Sequence, residues 1–198
     1  SSDNAFSTPM QLVALPPTQP IRNDDGSLFE NTVYFNGLLY RDGQSFNTTV
    51  FHSIGSAYLD YDLLPDLSLR TEFGIDLIDQ NEERWFGPSV ARNTGFQNGQ
   101  AQNRWVRNIN WTTQTYANYK RTLAENHNIS ATAGISYQEV TNDRSFVDGV
   151  NLPTSAFQQV ASAAEIIEGT ADATAYSFVG YFARANYNYK GTYLLGLS

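Results

Sequence analysis

Residues 53–78 read SIGSAYLDYDLLPDLSLRTEFGIDLI, and the parity of this stretch decides the fold. Odd positions hold Ala57, Leu59, Tyr61 and Leu63, then Leu67, Leu69, Phe73, Ile75 and Leu77. Even positions hold Ser56, Asp60, Asp62, Ser68, Arg70, Glu72 and Asp76. Successive side chains of a strand point to opposite faces, so this period of two predicts a β-hairpin with one apolar and one polar face. Leu64-Pro65-Asp66 makes the turn, where the missing proline N–H costs no ladder bond. Tyr58 and Thr71 depart from the pattern without overturning it.

Working outward, the same alternation returns. Ile109, Trp111, Ala117 and Tyr119 oppose Asn108, Asn110, Thr112, Gln114 and Asn118. Ile129, Ala131, Ala133, Ile135 and Tyr137 oppose Ser130, Thr132, Gly134, Ser136 and Gln138. Val179, Tyr181, Ala183, Ala185 and Tyr187 oppose Gly180, Arg184, Asn186 and Asn188. Strands are expected at about 53–63, 67–78, 105–119, 127–140, 176–189 and 192–198. Short links (64–66, 120–126, 190–191) alternate strictly with long ones (79–104, 141–175), which puts every short turn at one end of the sheet. Outer-membrane barrels have that asymmetry, with short periplasmic turns and long extracellular loops. The expected fold is all-β: a segment of about six antiparallel strands from a large transmembrane β-barrel. Tyr61, Tyr119, Tyr187, Tyr189 and Tyr193 gather at the short-turn end, where an aromatic girdle meets the membrane interface. Residues 1–52 lack sustained alternation and are expected as an irregular, extracellular segment, with a short strand at 33–40. In the second long loop, residues 155–168 (SAFQQVASAAEIIE) place Phe157, Val160, Ala164 and Ile167 at helical spacing, between a Ser155 cap and a Gly169 stop.

Composition agrees. Of 198 residues, 14% are aromatic and only 16% charged, against about a quarter charged in soluble domains. Uncharged polar residues and tyrosine have replaced charge on much of the surface. A net charge of -8 argues against a nucleic-acid groove, which needs a basic footprint. The absence of cysteine excludes a disulfide scaffold, a thiolate metal site and cysteine catalysis. No apolar run is long enough for a transmembrane helix, a test that barrel strands escape. The chain starts on Ser1-Ser2-Asp3-Asn4 and stops inside a strand-like stretch, as expected of a piece of something longer.

The chemistry-bearing residues are few. Asp60, Arg70, Glu72 and Asp76 share the polar face of neighbouring strands. There they read as a partly paired lumen wall through cross-strand ion pairs, or else as substrate contacts. Arg184 belongs with them on the fifth strand. The loop aromatics Trp85, Phe86, Phe96 and Trp105 either stack on sugar rings or peptide side chains, or pack the loops together or onto a lid protein. His52 and His127 have no metal-ligand spacing, and His127, beside a turn, is expected to cap or to sit at the interface. Residues 23–27 (NDDGS) read as a plain turn, since the glycine comes too early for a calcium loop. No nucleophile elbow, P-loop or dinucleotide fingerprint occurs, so neither catalysis nor a cofactor is expected.

Five stretches together resemble the middle of the SusC/RagA family of TonB-dependent outer-membrane transporters. They are LPPTQPIRNDDGSLFEN (15–31), YLDYDLLPDLSLRTEFGIDL (58–77), ATAGISYQ (131–138), NLPTSAFQQVASAAE (151–165) and SFVGYFARANYNYKGTYLLGLS (177–198). The resemblance runs along nearly the whole chain in order. It implies part of a plugged barrel of about 22 strands. It further implies TonB-driven import of glycans, oligosaccharides or peptides across a bacterial outer membrane, with a SusD-like lipoprotein lid. Outer-membrane lipid and the TonB complex, reached through parts of the parent not present here, are the other implied partners. The alternative is a soluble, secreted β-barrel or sandwich that binds a carbohydrate or other small ligand. Such a protein would carry charge on its exterior, whereas the polar face here is mainly Asn, Thr, Ser and Gln.

Overall fold

The computed structural model describes residues 16–29, 36–91 and 98–198. Six consecutive antiparallel strands, in the order β1-β2-β3-β4-β5-β6, form one sheet among these residues. They are β1 (Gln44–Leu64), β2 (Leu67–Phe86), β3 (Gln100–Leu123), β4 (His127–Val150), β5 (Glu165–Tyr189) and β6 (Tyr193–Leu197). The first five run 20 to 25 residues each. Ordinary globular strands average about 5–6 residues, and a membrane crossing takes about 9–11.

The sheet reaches further than the alternation predicts. The expected loop 79–104 shrinks to 87–99, the loop 141–175 to 151–164, and the link 120–126 to 124–126. Beyond Ile78 both faces turn polar (Asp79, Gln80, Asn81, Glu82), which ends the two-face signal but not backbone pairing. Side chains bridge there instead, as Asn103 Nδ2 donates to Asn81 Oδ1 at 2.8 Å. Residues 44–52, expected to be irregular, already belong to β1.

Two further expectations are corrected. Residues 155–168 form no α-helix: a turn at Ser155-Ala156 precedes a 3-10 helix at Val160–Ser162, and β5 begins at Glu165. Ile166, Ile167 and Thr170 are β-branched and better suited to a pleated surface than to helix, and β4 offers them a neighbouring strand. The strand expected at 33–40 lies partly outside the described residues, and its end is helical, in Gly37–Gly43. Asn36 caps that helix with Oδ1 on the Leu38 N–H at 3.1 Å. Its buried carboxamide donates to the carbonyls of Ile21 and Phe29, beside the Arg22↔Leu28 bridge. Within that turn, the Asp25 carboxylate accepts from the Ser27 hydroxyl at 2.6 Å and from its backbone N–H at 2.9 Å. The Ser27 hydroxyl bond, followed by the backbone bond, holds the Asp25 carboxyl below its ordinary pKa.

The chain divides into two compact units. One comprises the described parts of 1–49, 81–105 and 145–171. Its core packs Trp85, Ala101 and Leu152 against Val160, and Gly87 leaves room for the Trp85 indole, since a Cβ there would lie 2.8 Å from Cη2. Within the same unit Asp148 is buried and accepts from the carboxamides of Gln100 and Gln102 at 2.8–2.9 Å.

The other unit comprises 50–80, 106–144 and 172–198, and it carries the two-faced part of the sheet. Its tight turns are tied to the next strand pair by Lys120 N–H on Asp66 O and by Lys190 N–H on Asn126 O, both at 2.9 Å. Ala124 and Glu125 hold positive φ (46° and 62°), the left-handed backbone by which the three-residue link 124–126 reverses the chain.

Candidate functional site: the polar face

Even-numbered residues meet even-numbered residues across β1 to β6, so parity survives every turn of this unit. Thr132 bonds Asn118 at 2.8 Å, Gln138 bonds Asn110 at 3.0 Å and Asn186 bonds Ser130 at 3.3 Å. Odd positions meet odd: the Trp111 ring lies 5.0 Å from Tyr137 and 6.2 Å from Phe73. Leu59, Leu63 and Val179 project from that second face and are exposed. The odd-numbered face is thus mainly aliphatic and exposed, opposite a mainly polar, hydrogen-bonded one.

Three of the residues singled out above converge on the polar face. Glu72 accepts from Arg70 Nε at 2.5 Å, from Tyr116 OH at 2.9 Å and from Gln114 Nε2. Arg70 reaches back to Asp60 at 3.2 Å, and its guanidinium lies 4.3 Å from the centre of the Tyr58 ring. Asp76 stands apart from this cluster, paired with His52 at 2.8 Å. Arg70 thus bridges two carboxylates, and the cluster keeps a net negative charge. Arg184 lines a separate recess near the short turns, with Lys120, Asn128 and Asn186. Among the described residues no group of three or more His, Cys, Asp or Glu is placed to hold a metal.

The loop aromatics belong to the other unit. Trp85 is only 5% exposed and packs in the core there. Phe86 borders a small recess with Phe46 and Arg84, whose guanidinium lies 4.6 Å from the Phe46 ring. Trp105 is half-buried on β3, and Phe96 lies outside the described residues.

At the short-turn end the tyrosines form contacts. Tyr187 OH lies 2.6 Å from His127 Nδ1, the Tyr189 ring 4.8 Å from the His127 ring, and Tyr193 stacks on Tyr189 at 6.3 Å. Tyr61 and Tyr119 occupy the same odd-numbered face of β1 and β3, and Tyr61 is exposed.

The residues that sequence reasoning passed over are aromatics at even positions. Tyr58, Tyr116, Tyr176, Phe178 and Phe182 all interrupt the polar face. A groove of about 610 Å3 runs between Tyr58 and Phe178, lined also by Arg70, Glu72, Gln114 and Gln138. Their signal was present: Tyr58 already stood out as a breach of parity.

No family model matches the chain. Over 197 aligned residues it is 29% identical to TonB-dependent receptor P26 of Formosa agariphila, covering 93% of this chain and 20% of that protein. It is 26% identical to TonB-dependent receptor P39 of the same organism, over 88% of this chain and 17% of that protein. The chain thus spans about a fifth of the length of these curated relatives. In fold it is similar to solved structures of the RagAB peptide transporter, at 15% identity. The TM-score is 0.73 over 84% of this chain and 20% of that one. The RagAB peptide importer in the 'open-open' state gives 0.71 over 89% of this chain and 20% of that one. In sequence the chain is similar to a segment of TonB-dependent receptors, and in fold it is similar to a segment of the RagAB structures.

Proposed function

We propose that this segment of a SusC/RagA-type TonB-dependent barrel forms part of the wall of a bacterial outer-membrane nutrient importer. The even-numbered face lines the lumen and the odd-numbered face meets lipid. The opposition of an aliphatic odd-numbered face to a mainly polar even-numbered one in the two-faced parts of β1 to β5 carries this reading. Strands of 20 to 25 residues support it, because they exceed a bilayer crossing and far exceed what a small soluble barrel uses. The solute is a glycan, an oligosaccharide or a peptide, the last being the cargo named for the similar RagAB structures. A SusD-like lipoprotein lid would close the mouth on the side of the long connections, and the plug and TonB contact would come from the rest of the parent. Asp60, Arg70, Glu72, Asp76 and Arg184 are the lumen residues along the solute's path. Tyr61, Tyr119, Tyr187, Tyr189 and Tyr193 sit at the periplasmic interface of the membrane.

Epitope tags inserted into the full-length parent test the orientation. Tags within 87–99 and 151–164 should be reachable on intact cells, and tags at Pro65-Asp66 and Lys190-Gly191 should not. The parent should fractionate with the outer membrane and need detergent for extraction. Release in soluble form without detergent would favour the secreted binder instead.

A further inference from the structure

The short-turn end of β4, β5 and β6 carries polar hydrogens that find no acceptor within the chain. His127 opens β4, and its Nδ1 lies 2.6 Å from Tyr187 OH on β5. If the phenol donates, the neutral imidazole keeps its proton on Nε2. If the imidazole donates from Nδ1, the phenol hydrogen is left over. Either way, one N–H or O–H has no acceptor among the described residues. The Tyr189 ring packs on the imidazole at 4.8 Å and on the Tyr193 ring at 6.3 Å, which holds the pair in place. Lys190 completes the group. Its backbone is fixed at a φ of 53° by its own N–H on Asn126 O at 2.9 Å. The Gly191 N–H on Asn188 Oδ1 at 2.8 Å ties the same turn. The Lys190 ammonium lies 5.3 Å from the centre of the Tyr189 ring, the ring that the imidazole also contacts. Among the described residues it has no carboxylate partner, not even Glu125 on the adjacent turn. Arg121, at the end of β3, differs: it pairs with Asp66 at 3.7 Å.

Beyond this polar end the same odd-numbered face turns apolar. Tyr193, Leu195 and Leu197 follow one another along β6, and all three are exposed. The register sets Leu195 opposite Tyr187 and Leu197 opposite the small Ala185. From the turn into the sheet, the order is therefore ammonium, phenol rings, aliphatic side chains. A phospholipid has the matching order of phosphate, glycerol ester, acyl chain. Its phosphodiester carries a full negative charge and enough oxygens to accept from Lys190 and from the left-over donor together, in charge-assisted bonds. Such bonds strengthen where the membrane interface lowers the local dielectric. A long lysine side chain beside an aliphatic surface also keeps its head at the headgroup level. We propose that the short-turn end of β4, β5 and β6 binds the phosphate of a membrane phospholipid, held by Lys190 and the His127–Tyr187 pair. Leu195 and Leu197 lie along one of its acyl chains. The proposal rests on the reading that the odd-numbered face meets lipid, and it names the lipid group that this end selects.

The test uses the full-length parent purified in detergent, mixed with one lipid at a time, and native mass spectrometry to read the lipid retained. The probes are phosphatidylglycerol, phosphatidylethanolamine and monogalactosyl diacylglycerol with identical acyl chains. Both phospholipids should be retained, and the galactolipid, which lacks the phosphate, should not. Lys190→Asn removes the charge but keeps a residue that tolerates positive φ, and it should weaken retention about tenfold. Lys190→Arg should restore it. Arg121→Gln, at the same end of the sheet, should leave retention unchanged, because that cation already has Asp66. Retention of neither phospholipid would overturn the site, as would equal retention of the galactolipid. Retention that Lys190→Asn leaves intact, or that Arg121→Gln weakens equally, would overturn it too. Displacement of the phospholipid by inorganic phosphate at equal concentration would overturn lipid as the occupant. In each overturning case, correct tag exposure and outer-membrane fractionation would leave the barrel-wall reading standing.

Discussion

Trp85→Ala separates a packing residue from a solute-binding one. A tryptophan side chain buries up to about 250 Å2, worth about 6 kcal/mol at ~25 cal/mol per Å2. Trp85 is 5% exposed, so nearly all of that area is engaged, against Ala101, Leu152 and Val160. Truncations of this kind measured in protein cores cost about 3–5 kcal/mol. One feature reduces the loss. The Trp85 Nε1–H is buried without an acceptor among the described residues, and removing an unsatisfied donor returns about 1 kcal/mol or more. The balance is a loss of about 2–4 kcal/mol. Because the contacts are local, the loss should appear as easier local opening, not as global unfolding. Hydrogen exchange on the full-length parent reads it directly at Asn151 and Leu152, whose amides bond to the carbonyls of Gly99 and Asn98. At about 1.4 kcal/mol per decade, their exchange should quicken roughly thirtyfold to several hundredfold. Trp85→Phe removes the orphan donor but keeps most of the ring, so it should change exchange little. Unchanged protection in Trp85→Ala, together with lost solute binding, would refute the packing account.

Ile75→Arg on the aliphatic face should cost about 2–4 kcal/mol if the residue lies near mid-bilayer, whereas Tyr193→Arg at the interface should cost about 0–1 kcal/mol. Urea-dependent folding of the parent into lipid vesicles measures both, and equal costs would contradict the lipid-facing assignment. Gly134→Val should destabilise by about 1–3 kcal/mol, read as a lower urea midpoint. A Cβ there would meet Tyr116 Cβ at 2.5 Å, Phe182 Cζ at 2.6 Å and Thr115 O at 2.7 Å. Glu125→Gly should stabilise the parent by up to about 1 kcal/mol, because its φ of 62° suits glycine, and a lower urea midpoint would count against it. The Asp25 carboxyl should titrate below the ordinary aspartate value of about 3.9, since the Ser27 hydroxyl and N–H bond its ionised form. Its folded-state pKa being lowered, the turn is fully supported above that value and loses support as pH falls through the lowered one. Carbon-13 carboxyl shifts should give that low midpoint, and Ser27→Ala should raise it.

Much of the fold was legible because strand facing is a local property. Parity from Ala57 to Leu77 repeats wherever a strand has one apolar face, and Pro65-Asp66 and Lys190-Gly191 announce their turns. The signal faded where both faces became polar, from Asp79 onward, although the ladder continues to Phe86. Helical spacing at 155–168 misled because only Val160–Ser162 coil, as a 3-10 helix, while from Glu165 the β-branched Ile166 and Ile167 join the sheet beside β4. Of the candidate site, the Asp60–Arg70 pair was readable from cross-strand proximity, and Glu72 joins it two residues along the same strand.

By itself the sequence determined which residues share a face, because alternation along a strand needs no knowledge of its neighbours. Tertiary structure alone decided which residues meet across strands. Asp148 finds Gln100 and Gln102 from 48 and 46 positions away, and Phe178 shares a groove with Tyr58 across three intervening strands. It also decided that Trp85 packs a core, a fate that its composition-matched neighbours in the chain do not foretell. Register and loop closure set these meetings, and both depend on how distant segments pair.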